Sequence, residues 1–127
     1  MTIETNSLNW FEIPVTDLAR AKHFYQVAFS IHMVEVSFPG MEMAGFPADI
    51  GNGKVSGALV KSNNHIPSKD GAVIYFNANP DMTDVIERIS PNGGQVIMCK
   101  TLITPEIGYM AWFIDTEGNR VALHSQH

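Results

Sequence analysis

With a single cysteine, Cys99, in 127 residues, the chain cannot form an internal disulfide. One lone thiol is consistent with a reducing compartment, so a cytoplasmic location is expected. Nor is there an apolar run of the roughly 18 residues that a membrane-spanning helix needs, and no membrane association is expected. Residues 1–8 are polar and lack the basic start and apolar centre of a signal peptide, so export is not expected either. Positive charge is scarce, with 8 Lys and Arg against 13 Asp and Glu and a net charge of −5, and the basic residues are scattered. Nucleic acid is therefore not an expected partner, because binding phosphates takes concentrated positive charge. No flanking signature would activate the Cys99 thiol, which is read as a small apolar filler between Met98 and Lys100.

What is present is an ordinary globular composition, 45% hydrophobic and 17% charged, in a length suited to one domain spanning 1–127. Its most informative feature is a half-to-half repeat. Residues 8–15 alternate, with Phe11, Ile13 and Val15 on one face and Trp10, Glu12 and Pro14 on the other, as in a strand. Thr16 or Asp17 then offers a helix N-cap, and Leu18, Ala21, Tyr25 and Ala28 recur at helical spacing, widened by Phe24 and Phe29. Short strand-like runs follow at 31–38, 42–46 and 55–61, separated by Pro39 and Gly40 and by Gly51, Asn52 and Gly53. After a polar linker at 63–71 the unit repeats. A strand at 72–79 leads to a helix beginning near Pro80 or Asp81, with Met82, Val85, Ile86 and Ile89 on one face. Residues 91–94 end that helix, and strands at 95–99, 109–114 and 119–124 complete the half.

The expected fold class is α+β, with two βαβββ modules at 8–62 and 72–124. Neither half, at about 60 residues, is comfortable alone, so the two should join into a curved, cupped mixed sheet of about eight strands with helices outside. The alternation then turns Trp10, Glu12, Pro14, Val73, Tyr75 and Asn77 to the inside of the cup, with Arg120, Ala122 and His124 from the last strand.

The run from Trp10 to Leu18 with Phe24 and Tyr25, and the run Asp115, Thr116, Glu117, Gly118, Asn119 leading into Leu123 and His124, resemble the vicinal oxygen chelate superfamily. That group contains glyoxalase I, extradiol dioxygenases, and fosfomycin and bleomycin resistance proteins. The resemblance implies a homodimer whose clefts combine parts of both chains. It also implies a metal held by two ligands per module, at positions that fall here on Trp10, on Val73, on Ala122 and near Ser56 or Ala58. Trp, Val and Ala offer no lone pair to a divalent ion, so no metal site and no other cofactor are expected.

Glu12 and His124 each lie two residues along their strand from such a position and are the candidate catalytic pair, a carboxylate orienting an imidazole. They are expected to touch or to share one ligand. Trp10, Tyr75, Asn77 and Arg120 are the candidate ligand-binding residues, the aromatics giving flat faces with a polar handle. His23, His32 and His65 are read as surface histidines, and Met41 and Met43 as core or as an adaptable rim. The leading expectation is a metal-free protein that binds a small organic molecule. A lyase or isomerase acting on a small carbonyl compound through Glu12 and His124 is the rival, and a regulatory or structural dimer with a vestigial pocket is the third, so whether the protein is an enzyme stays open.

Overall fold

The computed structural model describes residues 1–49 and 51–127. The first module runs β1 (Trp10–Pro14), α1 (Leu18–Phe29), β2 (Val34–Phe38), β3 (Met41–Gly45) and β4 (Ser56–Ser62). The second runs β5 (Tyr75–Asn77), α2 (Thr83–Ile89), a 3₁₀ turn (Ser90–Asn92), β6 (Gln95–Thr104), β7 (Gly108–Ile114) and β8 (Arg120–Ser125). The expected α+β architecture of two βαβββ units is therefore present. The eight strands form two four-stranded mixed sheets, ordered β1-β4-β3-β2 and β5-β8-β7-β6, rather than one continuous ladder. In both, the module's first strand lies at an edge, parallel to its last strand.

The helix starts follow from side-chain chemistry. Asp17 caps α1, its carboxylate accepting from the Arg20 amide at 3.0 Å, and Ser30 closes the helix in the left-handed conformation at φ 54°. The second helix begins later than its proline predicts. Asp81 accepts from the backbone and hydroxyl of Thr83 at 2.9 and 2.6 Å, a turn that leads into α2 and leaves Pro80 outside it. Strand β6 runs five residues beyond its predicted end because irregularities in its pairing with β7 keep it alongside that strand as far as Thr104.

Both helices cover the same face of the two sheets, and one core serves both modules. Ile13 and Val15 from β1 and its end, Ala21, Phe24 and Tyr25 from α1, Val85 and Ile89 from α2, Phe113 from β7 and Leu123 from β8 are all buried in it. Phe76 of β5 carries the junction, since its ring meets those of Phe11, Tyr25, Phe29 and Phe46 at centroid distances of 5.5, 5.7, 5.0 and 5.0 Å. Phe11 settles against β4 because residue 57 is glycine. A Cβ there would lie 2.3 Å from the Phe11 carbonyl oxygen and 2.6 Å from its ring.

A polar clamp locks the modules together. The Tyr25 hydroxyl donates to Asp115 at 2.7 Å, and Asn119 donates to the Pro14 carbonyl at 2.7 Å and to Asp115 at 3.1 Å. Glu117 reaches back to the start of α1, accepting from the amides of Thr16 and Asp17, both at 2.9 Å, and from Arg20 Nε at 2.8 Å. Burial pushes the Asp115 carboxyl up, against the pull of the Tyr25 and Asn119 donors. For Glu117 burial also acts upward, but the Arg20 guanidinium and the two amides outweigh it and hold the group at about 2. The 115–119 loop is thus a structural fastener.

Candidate functional site

The face turned away from the helices is where the candidate residues gather. Parallel pairing puts Trp10, Glu12 and Pro14 beside Ser56, Ala58 and Val60, and antiparallel pairing adds Met41 and Met43, then Val34, Val36 and Phe38. In the second sheet the same face carries Tyr75 and Asn77, then Ala122 and His124, then Trp112 and Met110. The inward assignments of Trp10, Glu12, Tyr75, Asn77, Arg120 and His124 thus agree with the strand registers.

Their partnerships differ from expectation. Glu12 and His124 take separate partners. The His124 Nε2 atom lies 2.6 Å from the Ile107 carbonyl oxygen, whereas Glu12 Oε1 lies 2.8 Å from Nε2 of His65 and Glu12 Oε2 accepts from the Trp10 indole at 3.2 Å. The physical reason is the linker, which folds back from the end of β4 and delivers His65 over β1. His65 is therefore no free surface histidine, its side chain being 18% exposed. His23 and His32 are exposed as expected. The His65 bond holds the Glu12 carboxyl below the usual carboxylate range, burial opposing it and the Trp10 bond adding to it. Cys99 is exposed on β6 and does not fill the core.

Two crevices lie along the junction of the modules. One, of about 250 Å³, brings Glu12 and Arg120 together with Asp70, Ser68 and Asn119. The other, of about 440 Å³, is lined by Tyr75 and Asn77 with Leu8, Phe11 and Val73. The candidate residues are thus divided: Glu12 and Arg120 share one opening, Tyr75 and Asn77 another. Arg120 donates through Nη2 to the Gly71 carbonyl at 2.8 Å and holds its guanidinium 5.1 Å from the Trp112 ring centroid, while its buried Nε finds no partner among the described residues.

Trp112 went unassigned in the sequence, although the alternation of Ala111 and Phe113 on the core face would have placed it on the opposite one. Its indole donates to the Tyr75 hydroxyl at 3.2 Å. The two residues pair with Ala122 from either side, so they meet across its methyl group. Ala122 is the position at which the resemblance puts a carboxylate or imidazole ligand. Small size there lets an aromatic bridge close over it, and a longer side chain would displace that bridge. With Trp10, Val73 and Ala122 at the expected ligand positions, the donor set does not fit a divalent ion. Among the described residues, no three His, Cys, Asp or Glu side chains cluster at metal-binding distance elsewhere.

Comparison with known proteins gives the same fold. A "Glyoxylase-like domain-containing protein" from Didymella fabae is 31% identical over 121 residues, covering 91% of each chain. A crystal structure of a glyoxylase/bleomycin resistance protein/dioxygenase domain from Frankia sp. EAN1pec superposes with a TM-score of 0.71 at 15% identity, covering 96% of this chain and 98% of that one. A glyoxalase I mutant from Zea mays gives 0.72 at 17% identity over 94% of this chain, which spans only 46% of the maize protein. The family described as Glyoxalase/Bleomycin resistance protein/Dioxygenase superfamily matches residues 7–123. The chain therefore belongs to the glyoxalase/bleomycin resistance protein/dioxygenase superfamily.

Proposed function

We propose that the protein binds a small organic molecule on its helix-free face without using a metal ion. The observation that carries this is the Tyr75–Trp112 bridge over Ala122, because it puts aromatic surface where a metal ligand would otherwise project. Trp10 and Tyr75, 47% and 46% exposed, leave large rings open to a flat or sugar-bearing ligand, and Arg120, Asn77 and Glu12 supply the orienting polar groups. Crevices of about 250 and 440 Å³ at the module junction suit a compound of metabolite or antibiotic size. A homodimer belongs to the same proposal. The edge strand β2 exposes Val34 and Val36 on one face, a surface that association would cover. A cytoplasmic location is proposed on the exposed free thiol; no helix among the described residues is long and apolar enough to cross a membrane.

A thermal-shift screen of metabolites, antibiotics and divalent ions tests the proposal. An organic compound that raises the unfolding temperature of the parent, and raises it less in Arg120→Met and Tyr75→Ala, is the expected result. Stabilisation by divalent ions alone would overturn it. The second reading is an acid–base enzyme acting on a small carbonyl compound. What favours it is the Glu12–His65 contact, a carboxylate orienting an imidazole, with His65 standing where the sequence proposed His124.

A further inference from the structure

We propose that Ser62 is a nucleophile activated by His65 and Glu12, and that the protein hydrolyses small esters at the end of β4. The site shares Glu12 with the crevice beside Arg120, and it deepens the acid–base reading of the Glu12–His65 pair rather than the organic-ligand reading.

Chemistry fixes the hydrogen-bond directions at Glu12, and a neutral His65 ring extends them to Ser62. An indole N–H only donates, so the carboxylate of Glu12 accepts from Trp10 Nε1 through Oε2 and is left to accept from His65 through Oε1, at 2.8 Å. Nε2 of His65 therefore carries a proton, and when the ring is neutral Nδ1 is a lone-pair acceptor. Ser62 Oγ lies 2.6 Å from that Nδ1. The Asn64 amide donates to the same Oγ at 3.1 Å, occupying one lone pair, so the hydroxyl proton is free to point at the neutral imidazole. A hydroxyl, an imidazole and a carboxylate in hydrogen-bonded series are the parts of an activated serine, whatever fold carries them.

Ser62 is half-buried and borders an open groove of about 360 Å³ lined also by Phe38, Met41, Lys61 and Asn63. Phe38, 56% exposed, and Met41 form an apolar wall for an acyl chain. Asn63 lines the same groove, and its side-chain amide is the donor assigned here to a tetrahedral oxyanion. A serine that merely caps the turn at 62–65 would need the Asn64 amide alone. It would have no use for an imidazole held in one tautomer by a carboxylate.

The reaction balances with water as co-reactant. Ser62 Oγ forms a bond to the ester carbonyl carbon as its proton passes to His65 Nδ1, and Glu12 stabilises the resulting imidazolium. The bond from carbon to the alcohol oxygen breaks, and the alcohol leaves with the proton from Nδ1. Water then attacks the acyl carbon, giving a proton to Nδ1. The acid departs as Ser62 Oγ recovers that proton.

The test treats the full-length protein with a fluorophosphonate, locates the adduct by peptide mass spectrometry, and follows p-nitrophenyl acetate hydrolysis in parallel. The expected result is one adduct per chain on Ser62, with a labelling rate at least about 100-fold lower in His65→Gln, the contribution of a positioned general base. Hydrolysis is expected to vanish in Ser62→Ala while its thermal unfolding stays cooperative. No adduct on Ser62 in the parent would overturn the proposal, and this result needs no variant to fold. Labelling of Ser62 at an undiminished rate in folded His65→Gln would overturn it equally, since the serine would then be only a surface hydroxyl.

Discussion

Replacing Glu117 by Gln should show how far a single carboxylate holds the two modules together. Its side chain is fully buried and receives the amides of Thr16 and Asp17 and the Nε of Arg20. Its pKa falls from an ordinary 4.5 to about 2, the guanidinium and amides winning over the opposing effect of burial. At about 1.4 kcal/mol per pH unit, that drop corresponds to roughly 3.5 kcal/mol. The Arg20 side chain is 51% exposed, so water screens part of the attraction and about 2 kcal/mol is the better expectation. A folded-state pKa below the unfolded one gives stability that is complete above about 4.5 and is lost as pH falls toward about 2. Urea denaturation of parent and Glu117→Gln across this range is the assay. The variant should be weaker by about 2 kcal/mol at pH 7, a loss of roughly 6–10 °C in Tm for a chain of this length, and the gap should narrow steadily below pH 4.5. A gap that stays constant to pH 2.5, or no gap at pH 7, would refute the electrostatic account of the clamp.

Three other outcomes follow from the packing. Gly57→Ala forces a Cβ to within 2.3 Å of the Phe11 carbonyl, and its denaturation midpoint should reveal a loss of about 2–3 kcal/mol. Tyr25→Phe removes the buried donor to Asp115 at 2.7 Å and should cost about 1–3 kcal/mol in the same assay, with a neutral effect counting against the clamp. Val36→Lys places a charge on the apolar face of β2, and light scattering should read twice 14.0 kDa for the parent and 14.0 kDa for the variant.

The modules were legible in the sequence because strand alternation and turn residues are local signals. Phe11, Ile13 and Val15 on one face and Gly40 at the hairpin needed no knowledge of the other half. The length of β6 was not legible, since it depends on pairing irregularities with β7 that its own residues do not announce. At the site, the inward positions of Trp10, Glu12, Tyr75, Asn77, Arg120 and His124 could be read from period 2. The partner of Glu12 could not. His65 arrives from a polar linker with no periodicity, brought in by the turn that begins at Ser62. Trp112 was within reach of the same alternation, but its meeting with Tyr75 depends on Ala122 lying between two neighbouring strands, a cross-strand fact.

The aromatic bridge over Ala122 and the organic ligand it implies are tested most directly by calorimetric titration of a compound found in the thermal-shift screen. The titration is made into protein treated with chelator and again into protein supplied with Zn²⁺, Ni²⁺ or Mn²⁺. One equivalent per chain binding with the same Kd in both preparations, and at least about tenfold more weakly to Trp112→Leu, is the expected result. Binding that appears only when a divalent ion is supplied, or that is indifferent to Trp112, would contradict the account.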